Sequence, residues 1–346
     1  MPERDRTIEA FLDRTEWRGA RRAPLAGDAS FRRYERLHKD GRVAVLMDAP
    51  PPDEDVRPFT RIARHLAGLG FSAPQILAED ADAGLLILED LGDDTYTNVL
   101  TIGDVPEIDL YSRAVDVLID LHSRPLDEAV PAGLPAYDED RLLSETALFT
   151  DWYLPAIRGT ATEAGERQSY LEAWRATLTP VANDTSALIL RDYHVDNLIW
   201  LPSRPGVKAC GLLDFQDAVA GAPAYDLMSL LEDARRDVDA GLRAAMIDRY
   251  HAALPRFTND ADWQAFLAVF AVLAVQRHAK VIGIFTRLCV RDAKPDYLVH
   301  IPRVWGLLES HLTHPSLAAL RDWFDAHVPK SERGMPSIPG IGAASE

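Results

Sequence analysis

Cysteine is scarce in this sequence, which has only Cys210 and Cys289 in 346 residues. The two stand 79 positions apart (289 − 210), and neither has a second cysteine or a histidine at the short spacing of a zinc-binding motif. A disulfide scaffold and a structural zinc site are therefore not indicated. We expect two reduced, partly buried thiols.

Long uncharged apolar runs are also missing. No stretch reaches the ~18–20 uncharged apolar residues that a membrane-spanning helix needs. The N-terminus, MPERDRTIEAFLDR, is charged and lacks the apolar core of a secretory signal. From these features we expect a cytoplasmic protein that does not contact a membrane.

Positive charge is limited too, because 37 basic residues face 54 acidic ones and give a formal net charge of −17. Such a field repels nucleic acid and anionic membranes, so we expect neither as a partner. It also repels nucleotides. Phosphate chemistry in this chain would need metal ions, backbone N–H groups or a few well-placed arginines. Nothing in the sequence indicates an obligatory protein partner.

The chain is longer than one compact core requires and suits two lobes. Residues 1–92 predict a small β-rich lobe with an initial helix, a hairpin turning at 38–41, a second helix and further strands. Residues 93–330 predict a larger, mainly helical lobe with β-rich pieces at 187–190, 198–201 and 209–215. Residues 331–346 lack periodicity and predict a flexible tail. The fold class is therefore α+β.

Three polar residues lie at the ends of apolar strands in the segments ALILRDYHVDNLIWL and GLLDFQDAV: Asp192, Asn197 and Asp214. Apolar flanks place these side chains beside a core, where an unpaired carboxylate is costly and a cation is the simplest compensation. Carboxylate and amide oxygens are ligands that Mg²⁺ takes, with positions left for water and phosphate. The spacing matches the phosphoryl-transfer layout of protein kinases, in which an Asp precedes an Asn by five and a later Asp binds metal.

Over roughly residues 20–310 the chain resembles the aminoglycoside phosphotransferase and choline kinase-like family. The catalytic loop of that family reads His-Gly-Asp-x-His-x-x-Asn, and residues 190–197 here read LRDYHVDN, so the leading His-Gly is replaced. The metal-binding Asp-aromatic pair of the family corresponds to Asp214-Phe215, and its Pro-x-x-Asp-Leu corresponds to residues 223–227.

This resemblance implies a bilobal protein kinase-like fold, with ATP and Mg²⁺ as cofactors. It implies that Asp192 is the catalytic residue and that Asn197 and Asp214 bind the metal. His194 is expected to brace the catalytic loop or to act at the substrate. Asp226 is expected to begin a helix, since Asp is a favoured N-cap, and to bond the catalytic loop.

The N-terminal lobe departs from the family, whose members carry a strand lysine that pairs with ATP phosphates and with a helix glutamate. The matching strand, residues 43–47, has no lysine, and Met47 stands near that place. The helix that follows has arginines and His65 instead of a glutamate. Family members also have an interlobe hinge, which residues 85–92 resemble, with adenine bonded to backbone between Glu89 and Leu91.

Candidates to replace the lysine lie in GDASFRRY, where Gly27 and Ser30 would form a phosphate-covering turn and Arg32 or Arg33 would supply charge. An ion pair at about 4 Å contributes up to roughly 4 kcal/mol at an effective dielectric constant near 20, so one arginine suffices. The alternative is that both arginines are solvated strand residues.

Four segments together, GDASFRRY, LMDAPP, LRDYHVDNL and QRHAKVIGIF, are similar to one branch of the family. That branch contains bacterial kinases that phosphorylate the anomeric C1 hydroxyl of N-acetylmuramate and N-acetylglucosamine in cell-wall sugar recycling. The resemblance implies a sugar substrate and an α-1-phosphate product. The missing lysine and His-Gly are then features of the branch.

The carboxylate of N-acetylmuramate would require a cation in an acidic protein, and the candidates are Arg191, Arg277 and Lys280. Arg277 and Lys280 fall on one helical face, which either borders the substrate or leaves its cations in solvent. Two other functions stay open. One is an aminoglycoside phosphotransferase, whose polycationic substrates would suit the negative charge. The other is a nucleotide-binding pseudokinase or scaffold, which the missing lysine suggests.

Overall fold

The computed structural model describes residues 3–25 and 32–338. Strands within these ranges are β1 (Arg21–Pro24), β2 (Arg33–Lys39), β3 (Arg42–Asp48), β4 (Ile76–Asp80), β5 (Leu85–Leu88), β6 (Ala187–Ile189), β7 (Leu198–Trp200), β8 (Cys210–Leu212) and β9 (Val219–Gly221).

The α-helices of the same ranges are α1 (Glu3–Leu12), α2 (Arg57–Gly68), α3 (Tyr96–Ile102), α4 (Glu107–Ser123), α5 (Leu126–Ala129), α6 (Glu139–Leu148), α7 (Leu154–Arg158), α8 (Ala164–Leu178), α9 (Ala224–Leu231), α10 (Ala240–Ala253), α11 (Asp260–Asp292), α12 (Ile301–His311) and α13 (Ala318–His327). A π-helical turn, Phe149–Tyr153, joins α6 to α7.

The chain forms two compact units. The first comprises residues up to Asp120 together with Val195–Ala218, and the second comprises Leu121–His194 with the residues from Val219 onward. The catalytic-loop motif crosses this division, so that Asp192 belongs to the second unit and Asn197 to the first. The lobe boundary expected near residue 92 stays a prediction.

The first unit contains a five-stranded antiparallel sheet in the order β1-β2-β3-β5-β4. Its β2–β3 hairpin turns at Asp40 and Gly41, both with positive φ (51° and 75°), as tight two-residue hairpin turns require. Helix α1 buries Ile8, Phe11 and Leu12 in one core cluster with sheet residues. The predicted hairpin and initial helix are thus confirmed.

A short antiparallel ribbon of β7 and β8 completes the first unit, with Leu198 opposite Leu212. Asn197 directly precedes β7, and Asp214 follows β8 by two residues. Because the strands are antiparallel, both side chains belong to the same end of the ribbon. The Leu213 N–H donates to the Asn197 carbonyl at 3.0 Å and closes that end.

The second unit is mainly helical and includes one ribbon of β6 and β9. Helix α11 packs against α6, α9 and α12. By length and composition α11 could cross a membrane, yet 78% of its apolar window is buried inside the protein. The close approach to α6 depends on Gly283, since a Cβ there would lie 2.4 Å from the Leu148 carbonyl carbon.

Some elements of the fold leave no clear pattern in the sequence. Strand β1 has four residues and helix α3 has seven. Neither was predicted, because elements this short show no clear hydrophobic period in the sequence. Residues 339–346 of the expected tail lie outside the described residues. At its start, Arg333 donates to Glu309 and to the Val328 carbonyl.

Candidate active site

Asn197 and Asp214 meet at the end of the β7–β8 ribbon. Asn197 ends the 3-10 turn Val195–Asn197, and its Nδ2 lies 3.4 Å from Oδ2 of Asp214. The other carboxylate oxygen, Oδ1, accepts a hydrogen bond from Gln216 Nε2 at 2.7 Å. Asp214 has φ of +55°, a conformation that costs a non-glycine residue roughly 1–2 kcal/mol. Backbone strain of this kind is concentrated at functional sites.

These side chains fit a magnesium ion. The described residues contain no group of three or more His, Cys, Asp or Glu that could hold a metal, but Mg²⁺ needs only one or two protein carboxylates when water and phosphates complete its shell. Beside Asp214, the buried Oε1 of Gln216 has no hydrogen-bond partner within the described residues. A buried oxygen without a donor would accept from a metal-bound water.

A cavity of about 280 Å³ in the first unit opens onto Asn197 and Asp214. Its walls are mostly apolar, and the apolar side chains include Leu25, Val45, Met47, Leu88, Ile199 and Leu213. The predicted hinge residues Glu89 and Leu91 line it as well. An apolar slot with carboxylate and amide oxygens at one end has the chemistry that a nucleotide base and its phosphates require.

Ion pairs fasten the hinge segment around this cavity. Arg36 on β2 donates to Asp90 at 2.6 Å and to Asp93 at 2.8 Å, and the hydrogen bond from Arg36 lowers the pKa of Asp93. Glu89 pairs with Arg204, and its backbone N–H donates to the Gln75 carbonyl at 2.8 Å. The hinge is therefore fixed on both sides.

The residues proposed to take the place of the missing lysine differ in how close they lie to the metal-binding candidates. Gly27 and Ser30 lie outside the described residues. Arg32 has its guanidinium 3.6 Å from Asp214, with a side chain only 12% exposed, whereas Arg33 begins β2 and is exposed. Met47 is buried and lines the cavity. Of the two arginines, the structure brings Arg32 to the metal-binding candidate.

Asp192, in the second unit, lies in the loop that follows β6. The preceding Arg191 has φ of +71°, in the left-handed region that favours glycine. The family has glycine at this place, so the loop keeps a backbone shape that its sequence does not favour. Asp226 braces it, because its carboxylate accepts from the N–H groups of Leu190 at 2.7 Å and Arg191 at 2.9 Å.

The expected bracing by Asp226 is therefore confirmed, but the expected N-cap is wrong. Pro223 occupies the cap of α9, and Asp226 lies within its first turn. Asp226 is completely buried, and burial raises its pKa to about 7 despite the opposing effect of the two backbone hydrogen bonds. The brace is consequently a group that titrates near neutral pH.

Two cations of α11 act on Asp192. Burial opposes ionisation of this carboxyl, but Lys280 and Arg277 outweigh it and lower its pKa. Arg277 lies 4.0 Å from the carboxylate and donates to Ser229 Oγ at 3.0 Å. The Asp192 side chain is still 40% exposed, so solvent screens these charges and the carboxylate is accessible.

Arg191 and Lys280 share one carboxylate, Glu145 of α6. Lys280 Nζ lies 3.0 Å from Glu145, and Arg191 pairs with the same group while covering the ring of Tyr137 at 5.5 Å. Burial would raise the pKa of Glu145, but Lys280 and Arg191 hold it below its usual value. The alternative in which α11 leaves its cations in solvent is wrong, because Arg277 and Lys280 are only 8% and 7% exposed.

His194 is buried, and its Nε2 lies 3.5 Å from Arg235. Burial lowers its pKa, which favours the neutral ring. Three residues that contact the predicted ones were not predicted from the sequence, namely Glu54, Glu145 and Gln216. Glu145 lies about 46 positions before its partner Arg191, and no local pattern in the sequence marks such a pair.

Comparisons with known proteins identify the family of this chain. Residues 21–265 match the model of the family described as "Phosphotransferase enzyme family". A relative from Caulobacter vibrioides, named N-acetylmuramate/N-acetylglucosamine kinase, is 38% identical over 96% of this chain and 98% of its own length. A second protein of that name, from Pseudomonas aeruginosa, is 40% identical over 86% of each chain.

Solved structures share the fold at low identity. Choline kinase LicA from Streptococcus pneumoniae superposes with a TM-score of 0.61 at 10% identity, over 90% of this chain and 100% of that one. The ADP-bound aminoglycoside phosphotransferase APH(2'')-Ib gives a TM-score of 0.55 at 15% identity, over 89% and 97%. The predicted α+β, protein kinase-like fold is confirmed. The chain belongs to the phosphotransferase enzyme family.

Proposed function

We propose that this protein transfers the γ-phosphoryl group of ATP to the anomeric C1 hydroxyl of N-acetylmuramate or N-acetylglucosamine, with Mg²⁺ as the metal. The observation that carries the proposal is the 38% identity, over nearly the whole of both chains, to the Caulobacter vibrioides kinase named for these two sugars. The residues of the candidate site supply groups for each part of the reaction.

Asp192 is the proposed general base. Its lowered pKa keeps it ionised near neutral pH, and its partial exposure leaves room for a sugar hydroxyl. The anomeric hydroxyl is more acidic than an ordinary alcohol. A hydrogen bond to Asp192 orients it, and its proton passes to the carboxylate while the C1 oxygen bonds to the γ-phosphorus and the bond to ADP breaks.

Asn197 and Asp214 would hold Mg²⁺, which would neutralise charge on the phosphates. Adenine would occupy the apolar cavity along Glu89 and Leu91, where backbone groups can bond it. Arg32 lies at Asp214 and replaces the lysine that related kinases carry on a strand. Gly27 and Ser30 would cover the phosphates.

Cations of the second unit are proposed to receive the sugar. Arg277 and Lys280 lower the pKa of Asp192 and can also attract the carboxylate of N-acetylmuramate. Arg191, which pairs with Glu145, contributes a third positive charge beside Asp192. His194, neutral and buried, braces the loop beside the substrate.

A substrate panel tests the assignment. The protein is incubated with Mg-ATP and, separately, with N-acetylmuramate, N-acetylglucosamine, glucose, choline and kanamycin, and ADP release is measured. We expect turnover with the two N-acetylated sugars. Turnover with kanamycin alone would instead identify an aminoglycoside kinase. Binding of ATP without turnover of any acceptor would favour a pseudokinase.

A further inference from the structure

Arg32 lies between two carboxylates of the first unit. Its Nη2 is 3.6 Å from Oδ1 of Asp214, and its Nε is 3.6 Å from Oε2 of Glu54. The three side chains are 12%, 28% and 20% exposed, respectively, so the group is largely withdrawn from solvent. Ion pairs in such a setting are screened less than pairs on the surface.

Glu54 belongs to the segment between β3 and α2, and this segment is tied down. The Glu54 N–H donates to the Pro50 carbonyl at 3.2 Å, and the Ala49 N–H donates to the Gly84 carbonyl at 2.9 Å. A Cβ on Gly84 would lie 2.0 Å from the Ala49 oxygen, so the two backbones touch. These contacts hold the backbone segment that carries Glu54 in place.

Helix α2 begins at Arg57, three residues after Glu54, and packs on the residue after Asp214. The rings of Phe59 and Phe215 stack with centroids 5.0 Å apart and planes inclined by 22°. This stacking links the helix that follows the Glu54 segment to the residue next to Asp214, and Arg32 contacts the carboxylates of both Glu54 and Asp214.

Met47 stands near the strand position for which the family resemblance implies a lysine, and its side chain is buried and apolar. It pairs with Tyr34 on β2 and with Leu86 on β5. The strand itself therefore provides no cation to this end of the cavity. Arg32, just before β2, provides one from a different place in the sequence.

We propose that Glu54 is a positioning residue for Arg32, and that the Arg32–Glu54 pair replaces the strand lysine and helix glutamate pair of related kinases. This inference rests on the proposed function, since it gives Arg32 a nucleotide phosphate to meet. An arginine side chain has many rotamers and loses entropy when it is fixed. Glu54 removes that freedom in advance and keeps the guanidinium at the metal-binding end of the cavity.

A double-mutant cycle tests the proposal, with the affinity of the full-length chain for Mg-ADP measured by titration calorimetry. We expect Glu54→Gln to weaken the affinity roughly tenfold, a loss typical of one well-placed ionic contact. Arg32→Gln should weaken it at least as much. The double variant should match Arg32→Gln within about twofold, because Glu54 acts only through Arg32. Glu54→Asp, which keeps the charge, should recover part of the loss.

The neighbouring carboxylate Asp53 is exposed, and Asp53→Asn is the matched control with unchanged affinity. Additive losses in the double variant, or equal affinities for Glu54→Gln and Asp53→Asn, would overturn the proposal. Thermal melts of every variant separate misfolding from a lost contact. The cycle measures nucleotide binding, so it still tests the role of Glu54 if only the sugar assignment fails. A wild-type chain that binds no Mg-ADP would overturn both the role of Glu54 and the proposed kinase function.

Discussion

The guanidinium of Arg277 lies 4.0 Å from the carboxylate of Asp192. Ser229 holds Arg277 by a hydrogen bond of 3.0 Å, so the cation is fixed and cannot follow a ligand freely. A fixed positive charge beside a partly exposed carboxylate has two effects. Together with Lys280 it lowers the pKa of Asp192 and so keeps the proposed base ionised. We propose that it also attracts an anionic substrate to this carboxylate.

Replacing Asp192 by asparagine should lower kcat by a factor of about 10²–10⁴, the range that general-base catalysis supplies. Affinity for Mg-ADP should stay within about twofold, because Asp192 belongs to the acceptor side of the reaction. Steady-state kinetics and calorimetry on the same preparation measure both. Asp140→Asn, on the exposed face of α6, is the control. If nucleotide affinity collapsed in Asp192→Asn, the role of base would be assigned to the wrong residue.

Replacing Asp214 by asparagine should raise the Mg²⁺ concentration needed for half-maximal activity by at least about tenfold. The change removes the only carboxylate of the proposed metal pair and leaves the amide of Asn197. Nucleotide binding measured without Mg²⁺ should not weaken, since a repulsive charge has gone. An unchanged Mg²⁺ requirement would show that the metal is held elsewhere.

Lys280→Met should reduce kcat/KM for N-acetylmuramate roughly tenfold more than for N-acetylglucosamine. Of the two sugars, only N-acetylmuramate carries a carboxylate, with which a lysine can form an ion pair. Lys280, on α11, lowers the pKa of Asp192, the proposed base. The fold should tolerate the change because Arg191, Tyr137 and Gln276 still contact Glu145. Arg291→Gln, an exposed position on the same helix, is the control. Equal losses for both sugars would exclude Lys280 from carboxylate recognition.

Asp226 makes stability depend on pH. Its pKa is raised from 3.8 to about 7 by burial, so between these values the folded chain binds more protons than the unfolded chain. The stabilising contribution is complete below pH 3.8 and is lost as the pH rises towards 7, by up to ~1.4 kcal/mol per pH unit. Asp226→Asn cannot titrate there. Denaturant unfolding at pH 4, 5.5 and 7 measures the free energy of unfolding of the wild type and of Asp226→Asn. The wild-type value should fall relative to that of the variant as the pH rises, and a difference that stays constant would refute the linkage.

Most elements of the fold could be predicted from the sequence, because helical periodicity is a local signal. The catalytic-loop spacing is also local, and it made Asp192, Asn197 and Asp214 candidates for the site. It could not supply partners that come from distant segments. Glu145 reaches Arg191 from α6, and Glu54 reaches Arg32 from the segment before α2. Nor could the sequence reveal that Arg191 adopts the backbone conformation of a glycine, since the surrounding contacts impose it against local preference.

Close helix packing gives a stability prediction with an internal control. Gly283→Ala should destabilise the protein by about 1–3 kcal/mol, because the new methyl group would meet the backbone of Leu148. A methyl group on Gly306, in α12, would meet no atom within 4 Å. There, alanine should stabilise by about 0.5–1 kcal/mol. Denaturant unfolding of both variants measures these changes in the free energy of unfolding. If Gly283→Ala were as stable as the wild type, α6 and α11 could move apart without loss of stability.

The most direct test of the proposed chemistry is the position of the transferred phosphate. The protein is incubated with Mg-ATP and N-acetylmuramate, and the product is analysed by ³¹P NMR with coupling to the anomeric proton. We predict one new phosphomonoester, bonded at C1 in the α configuration, that does not form with Asp192→Asn. A phosphate on any other hydroxyl, or release of inorganic phosphate alone, would contradict the assignment of an anomeric sugar kinase.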